Sequence, residues 1–169
     1  MIFITVGTER FQFDRIIKII DEAVVTKKME GEVFGQIGSC AYKPKSFSYK
    51  EFISFDEMIC NIKRADIVIS HAGVGSLLLC ANFGKIPILF PRKSALSEHV
   101  DDHQEEFAKK MDALGKALIA RSAEDLIFDI INYNDLTRKK KVLPSGQNKE
   151  RLVKYLNSLI LGPSRTTRS

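Results

Sequence analysis

Residues 65–76, A-D-I-V-I-S-H-A-G-V-G-S, decide the fold. Ile67, Val68 and Ile69 are consecutive β-branched residues, as in a strand covered on both faces. The strand runs into Ser70-His71 and then Gly73 and Gly75, where the backbone is free to turn tightly and a ligand is free to come close. Ser76 stands where the first turn of a helix leaves N–H groups unpaired. Such a helix end attracts anions, so phosphate is the first ligand the pattern suggests. The stretch is not the dinucleotide fingerprint G-x-G-x-x-G, because Leu78 occupies the position of the third glycine. A purely structural strand-to-helix turn is the competing reading of the same two glycines.

The flanking sequence repeats the strand and helix pattern. Upstream, residues 2–6 read as an apolar strand closed by Gly7-Thr8, and Ile16, Ile17, Ile19, Ile20, Ala23 and Val24 recur at helical spacing after Asp14, the expected N-cap. Residues 32–37 are a second strand ended by Gly38, residues 46–52 a short third, and Asp56 opens a helix through Arg64. Downstream, the spacing predicts a helix over 75–83 stopped by Gly84 and a buried strand over 86–90 ending at Pro91. A helix over 102–114 stopped by Gly115, a last strand over 117–120 and a helix from Ser122 to Asn132 complete the series. This alternation implies an α/β fold, a doubly wound, mainly parallel, Rossmann-like sheet. Ligands of such sheets gather at the carboxyl ends of the strands, where Gly7-Thr8, Gly38, residues 71–76 and residues 91–104 would converge.

At 169 residues with 44% hydrophobic content, the chain is long enough for one domain with a core of its own. No apolar run approaches the ~20 residues of a membrane span. Met1-Ile2-Phe3 begins a strand without the basic region of a signal peptide, so a cytoplasmic location is expected. Cys40, Cys60 and Cys80 have no metal-ligand spacing and read as buried or semi-buried free thiols. The net charge of +5 owes much to Arg138-Lys139-Lys140-Lys141, Arg165 and Arg168, which suit a solvated face better than a patch for anionic lipid or nucleic acid. Leu143-Pro144-Ser145-Gly146 is a break, and Leu152, Val153, Leu156, Leu159 and Ile160 mark one face of a final amphipathic helix. That face either packs on its own sheet or docks a partner. The expected organisation is a ligand-binding domain over 1–132, a basic linker over 133–147 and a C-terminal helix and tail over 148–169 that serves as a partner-docking segment.

A second polar constellation, Glu98-His99-Val100-Asp101-Asp102-His103-Gln104, follows the buried strand. With His71 it puts every histidine of the chain on one rim of the sheet. The spacing fits neither H-E-x-x-H nor a cysteine framework, so no metal site is expected. Hydrogen bonding to a polar ligand such as a sugar diphosphate is the more natural use, while Asp101 and Asp102 also suit a helix start.

These motifs in this order, M-I-F-I-T-V-G-T, E-F-I from Glu51, residues 65–76, Pro91-Arg92 and E-H-V-D-D-H-Q-E-E-F-A-K-K, strongly resemble the glycosyltransferase family 28 C-terminal domain. More narrowly, the chain resembles the small catalytic subunit of two-part transferases, of the eukaryotic dolichol-linked chitobiose synthase and its bacterial counterparts in capsule and exopolysaccharide synthesis. The E-H-V-D-D-H-Q signature favours the bacterial branch. The resemblance implies the nucleotide-binding half of a GT-B enzyme whose acceptor-binding half is a separate, membrane-anchored subunit. It further implies transfer of a hexose from a UDP-sugar to a lipid-linked, undecaprenyl-diphosphate acceptor, at the inner face of the membrane. A nucleotide-binding subunit without turnover is the alternative, as is the dolichol-linked N-acetylglucosaminyltransferase subunit. No metal and no cofactor beyond the donor are implied, and no nucleic-acid partner.

Position by position, the resemblance assigns Gly7 and Thr8 to the first diphosphate-facing loop, and Phe52 and Ile53 to the segment whose backbone reads the uracil edge in the related lipid II synthase. His71, Ala72, Gly73, Val74, Gly75 and Ser76 match the diphosphate-binding turn. His103 and Gln104 match the pair that approaches the donor sugar, with Glu98 and His99 in the same loop. Leu79 and Cys80 stand where many relatives carry a glutamate for the ribose hydroxyls, so the resemblance implies either ribose recognition from elsewhere, with Glu98 as a candidate, or weaker ribose recognition. The acceptor's base is expected on the partner, so none is assigned here.

Overall fold

A computed structural model of the chain describes residues 1–138 and 140. The helix expected over 148–169 and most of the expected linker fall outside the described residues. Strands β1 (Ile2–Thr5), β2 (Val33–Gln36), β3 (Ser48–Lys50), β4 (Ile67–Ser70), β5 (Ile88–Leu89) and β6 (Leu118–Ile119) form one sheet in the order β3-β2-β1-β4-β5-β6. Every pairing is parallel. The α/β, doubly wound, Rossmann-like expectation therefore holds.

Alternation along β1 sorts the core. Ile2, Ile4 and Val6 join a cluster with Ile16, Ile17 and Ile20 of α1 (Asp14–Val25) and Leu126 and Ile130 of α5 (Ala123–Ile131). Phe3 points the other way, to Val68, Ile62 of α2 (Phe55–Arg64) and Cys80 of α3 (Val74–Asn82). Leu89 meets Leu77 of α3 and Phe107 and Met111 of α4 (His103–Ala113). Both faces are thus covered by helices, which explains why the strands read as unbroken apolar runs.

Several boundaries differ from the sequence reading. Asp14 is not an N-cap: it is the first residue of α1, and Phe13 precedes it with no side-chain cap. The helix expected at Gly75 starts at Val74, with Gly73 as N-cap. The third strand is shorter than expected, and its three residues are exposed at the sheet edge. Cys40 and Cys80 are buried, whereas Cys60 is exposed. Residues 133–137, read as linker, form α6 (Tyr133–Thr137), and the Tyr133 hydroxyl donates to the Ile86 carbonyl at 2.6 Å. The Lys140 ammonium reaches the Asp112 carboxylate at 2.8 Å.

Loop 39–47 is held by a buried carboxylate on α1. Asp21 accepts hydrogen bonds from the Tyr42 hydroxyl at 2.6 Å, the Ser46 N–H at 2.8 Å and the Lys45 N–H at 3.0 Å. Burial pushes its pKa up, but the hydrogen bonds from Ser46, Tyr42 and Lys45 outweigh that effect and hold it below the ordinary aspartate value.

Candidate functional site

The connection after β1 leads through α1 towards β2, whereas the one after β4 leads through α3 to β5, on the other side of the sheet. The divergence opens a crevice at the carboxyl ends of β1 and β4, where Thr5 and Ser70 sit in register. His71 fills its floor and is 8% exposed. Its Nδ1–H donates weakly to the Thr5 carbonyl at 3.4 Å.

The glycines flanking the imidazole have a packing reason that the sequence concealed. A Cβ on Gly73 would stand 2.4 Å from His71 Nε2, and one on Gly7 would stand 2.7 Å from Cε1. Gly7 also has φ +78, which disfavours any side chain there. Ala72, between His71 and Gly73, is itself in the left-handed region at φ +66, a local strain of the kind that clusters at functional sites. Burial, the Arg92 charge and, more weakly, His99 press the His71 pKa down to about 4, with the Thr5 carbonyl opposing. The ring is neutral near pH 7.

Helix α3 starts directly over this floor. No side chain caps it, and the Ser76 hydroxyl donates to the Gly73 carbonyl at 2.9 Å while pairing with the Ser70 hydroxyl. Helix geometry leaves the N–H groups of Val74, Gly75 and Ser76 without an intrahelical acceptor. Gly75 is exposed, and beyond its own helix no described atom lies within 4 Å of where its Cβ would be. The first turn therefore offers amides to an open face, as an anion site requires.

Three loops form the walls. Gln36, buried at the end of β2, accepts from the Thr5 hydroxyl at 2.7 Å and donates to the carbonyls of Gly7 at 2.9 Å and Glu51 at 3.0 Å. The Gly38 N–H donates to the same Glu51 carbonyl at 2.7 Å, so the loops after β1, β2 and β3 are stitched together. Thr8 is exposed on the first loop. Phe52 is exposed on the third, while Ile53 packs beside Met58 and Leu79 against Phe3 and Val68.

The fourth wall, residues 91–104, hangs on buried charges. Glu98 is 5% exposed. Its carboxylate takes both Nε and an Nη of Arg15, at 2.9 and 2.8 Å, and the Lys93 N–H at 2.9 Å. That corrects the expectation for ribose: Glu98 is consumed by protein groups and acts as an anchor for the loop. At the rim, His99 Nδ1–H and His103 Nδ1–H both donate to Asp101 Oδ1, at 3.1 and 3.0 Å. His99 lies against the Phe11 ring, whereas His103 is largely exposed. Gln104 accepts from the Arg92 N–H at 3.3 Å. Leu79 is half-buried in the cluster under α2, and Cys80 is fully buried with its thiol pushed up to about 12 by burial.

Glycine loops, His71 and the residues after β5 thus meet at one end of the sheet, as expected. The sequence reading missed Gln36 and Arg15. A lone amide ending an apolar strand was the available signal for Gln36, while Arg15 gave none, because its partner is 83 residues away. Among the described residues, no group of three or more His, Cys, Asp or Glu side chains is placed to share a metal ion, and no helix is long and apolar enough to cross a membrane.

Comparison with known proteins accords with this geometry. Residues 1–155 match the glycosyltransferase family 28 C-terminal domain. The chain is 33% identical over 119 residues to the human UDP-N-acetylglucosamine transferase subunit ALG13, a match covering 65% of this chain and 10% of that protein. A solution structure of ALG13 covers 89% of this chain and 93% of its own length, at 21% identity and TM-score 0.56. The crystal structure of Acinetobacter baumannii MurG covers 92% of this chain and 49% of its own, at 19% identity and TM-score 0.57. The chain thus spans a tenth of the curated relative and under half of the MurG structure. At these identities the structural likeness is one of fold.

Proposed function

The chain belongs to the glycosyltransferase family 28 C-terminal domain family, and from that membership we propose that it is the donor-binding catalytic subunit of a heteromeric, GT-B-type glycosyltransferase using a UDP-sugar. The human relative is named as a transferase subunit for UDP-N-acetylglucosamine, which supports both the UDP donor and a companion polypeptide. The finer reading is that a hexose passes to a lipid-linked, undecaprenyl-diphosphate saccharide in bacterial polysaccharide synthesis. On it, the chain works as a peripheral subunit on the cytoplasmic face of the membrane, held there by a membrane-anchored acceptor-binding partner. The E-H-V-D-D-H-Q run of residues 98–104 supports that branch.

The observation that carries the proposal is the uncapped start of α3 above His71 at the switch point of the sheet. As the glycosidic bond to the donor breaks, negative charge grows on the distal phosphate of the leaving UDP. Amides of Val74, Gly75 and Ser76, fixed in place before reaction, stabilise that charge with no reorganisation. No metal or further cofactor is assigned to this step. Gly7 and Thr8 line the same anion, and the backbone by Phe52 and Ile53 is proposed for the uracil edge. His99, His103 and Gln104 face the donor sugar. The base that deprotonates the acceptor is proposed to come from the partner across the cleft.

The test is Gly75→Leu. Beyond its own helix, no described atom lies within 4 Å of the Cβ it adds. The variant should melt like the parent, yet bind UDP and transfer sugar with the partner present at least about a hundredfold less well, the scale of losing oxyanion-type donors. Transfer at the parent rate would exclude the diphosphate role.

A further inference from the structure

Arg92 is the largest fully buried side chain of the described residues, at 1% exposure. Its guanidinium donates to the carbonyls of Val6 at 2.8 Å, Phe11 at 2.9 Å, Glu98 at 3.0 Å and, at the distance limit, Gln12 at 3.5 Å. Its carbon lies 4.8 Å from the centre of the Phe13 ring. No carboxylate of the described residues touches it: Glu98, the nearest acid in sequence, gives its oxygens to Arg15 and the Lys93 N–H. Arg92 Nε has no hydrogen-bond partner among the described residues. A cation buried on carbonyls alone is costly, and burial lowers its pKa.

The placement of those carbonyls gives the cost a purpose. Val6 immediately precedes Gly7, while Phe11 and Gln12 close the same loop before α1. Arg92 therefore grips both ends of the loop 7–12 and, through Glu98, the loop 93–102. The Arg92 charge is also one of the causes that hold the His71 pKa down.

We propose that Arg92 is a positioning residue of the anion site, which sets the spacing of its two main loops and places a buried positive charge, held on carbonyls and touched by no described carboxylate, behind the bound diphosphate without touching it. The inference rests on the donor-binding reading and deepens it. A field of this kind acts on the ligand charge through protein of low polarisability, where it is screened less than at the surface.

Titration calorimetry on the full chain with UDP and with inorganic pyrophosphate tests it, using Arg92→Met, which keeps bulk and removes charge, and Arg92→Lys, which keeps charge and removes the fork. Arg92→Met is expected to weaken both ligands by about tenfold or more and Arg92→Lys by distinctly less, with a shallower salt dependence only in Arg92→Met. The NMR titration of His71 should move up more in Arg92→Met than in Arg92→Lys. Equal losses in the two variants overturn the electrostatic part, parent affinity in Arg92→Lys overturns the positioning part, and parent affinity in folded Arg92→Met overturns the whole. Should Arg92→Met not fold, Arg92→Lys alone decides, since unchanged affinity there removes the positioning role. A parent protein that binds neither ligand overturns the donor-binding reading itself, which separates that failure from this one.

Discussion

His71 shows how a residue-scale environment sets chemistry. Its folded pKa of about 4 lies below the ordinary 6.5, so the neutral ring is favoured by the native state. Between those values the unfolded chain binds more protons than the folded one. The contribution to stability is therefore complete above about pH 6.5 and is lost as pH falls towards 4. An anion in the crevice opposes that preference, because it favours the protonated ring. The His71 resonances of the free protein should stay those of a neutral imidazole down to about pH 4, and saturating pyrophosphate should raise the midpoint. A free-protein midpoint near 6.5 in NMR titration would mean that the ring is not enclosed as described.

At the scale of elements, three glycines that look equivalent in sequence separate into two kinds. Gly7 and Gly73 give up their side chains to admit the imidazole, whereas Gly75 faces open space. Gly73→Ala should accordingly destabilise the protein, by about 1–3 kcal/mol on the scale of overpacked sites, and perturb His71. Gly7→Ala adds left-handed backbone strain to the same clash and should cost more. Gly75→Ala should leave the melting temperature near that of the parent while weakening UDP binding. Differential scanning calorimetry on the three variants reads the order directly, and equal melting temperatures would refute the distinction. None of this was legible beforehand, because the atom that collides with the missing Cβ belongs, for Gly7, to a ring 64 positions away in the chain. What was legible was local: a β-branched run of Ile67 to Ile69 followed by glycines already placed a phosphate-friendly turn there. Boundaries were harder, as at Asp14, whose side chain suits an N-cap although Phe13 holds that position.

On the scale of the whole molecule, the proposed function makes the described residues one wall of a cleft. The amides of α3, the Gly7 loop and the loop carrying His99 all open at the carboxyl end of the sheet. Bringing an acceptor hydroxyl onto the donor requires a second wall, and the advantage of holding both reactants in line is worth many orders of magnitude. The isolated chain is therefore expected to bind UDP in calorimetry yet to show little sugar transfer until the acceptor-binding partner is added. Full turnover by the chain alone, measured with a lipid-linked acceptor, would remove the need for a partner.

The layered α/β architecture, and the end of the sheet where the candidate site's loops converge, were legible in the sequence alone, because apolar periodicity and glycine position are properties of neighbouring residues. Only the tertiary structure decided what Glu98 and Arg92 do. One is neutralised by Arg15 and the other is left on carbonyls, and both outcomes depend on contacts between segments some 80 residues apart. Charge pairing over such distances in sequence has no local signature, since it is set by which loops the parallel sheet delivers to the same edge.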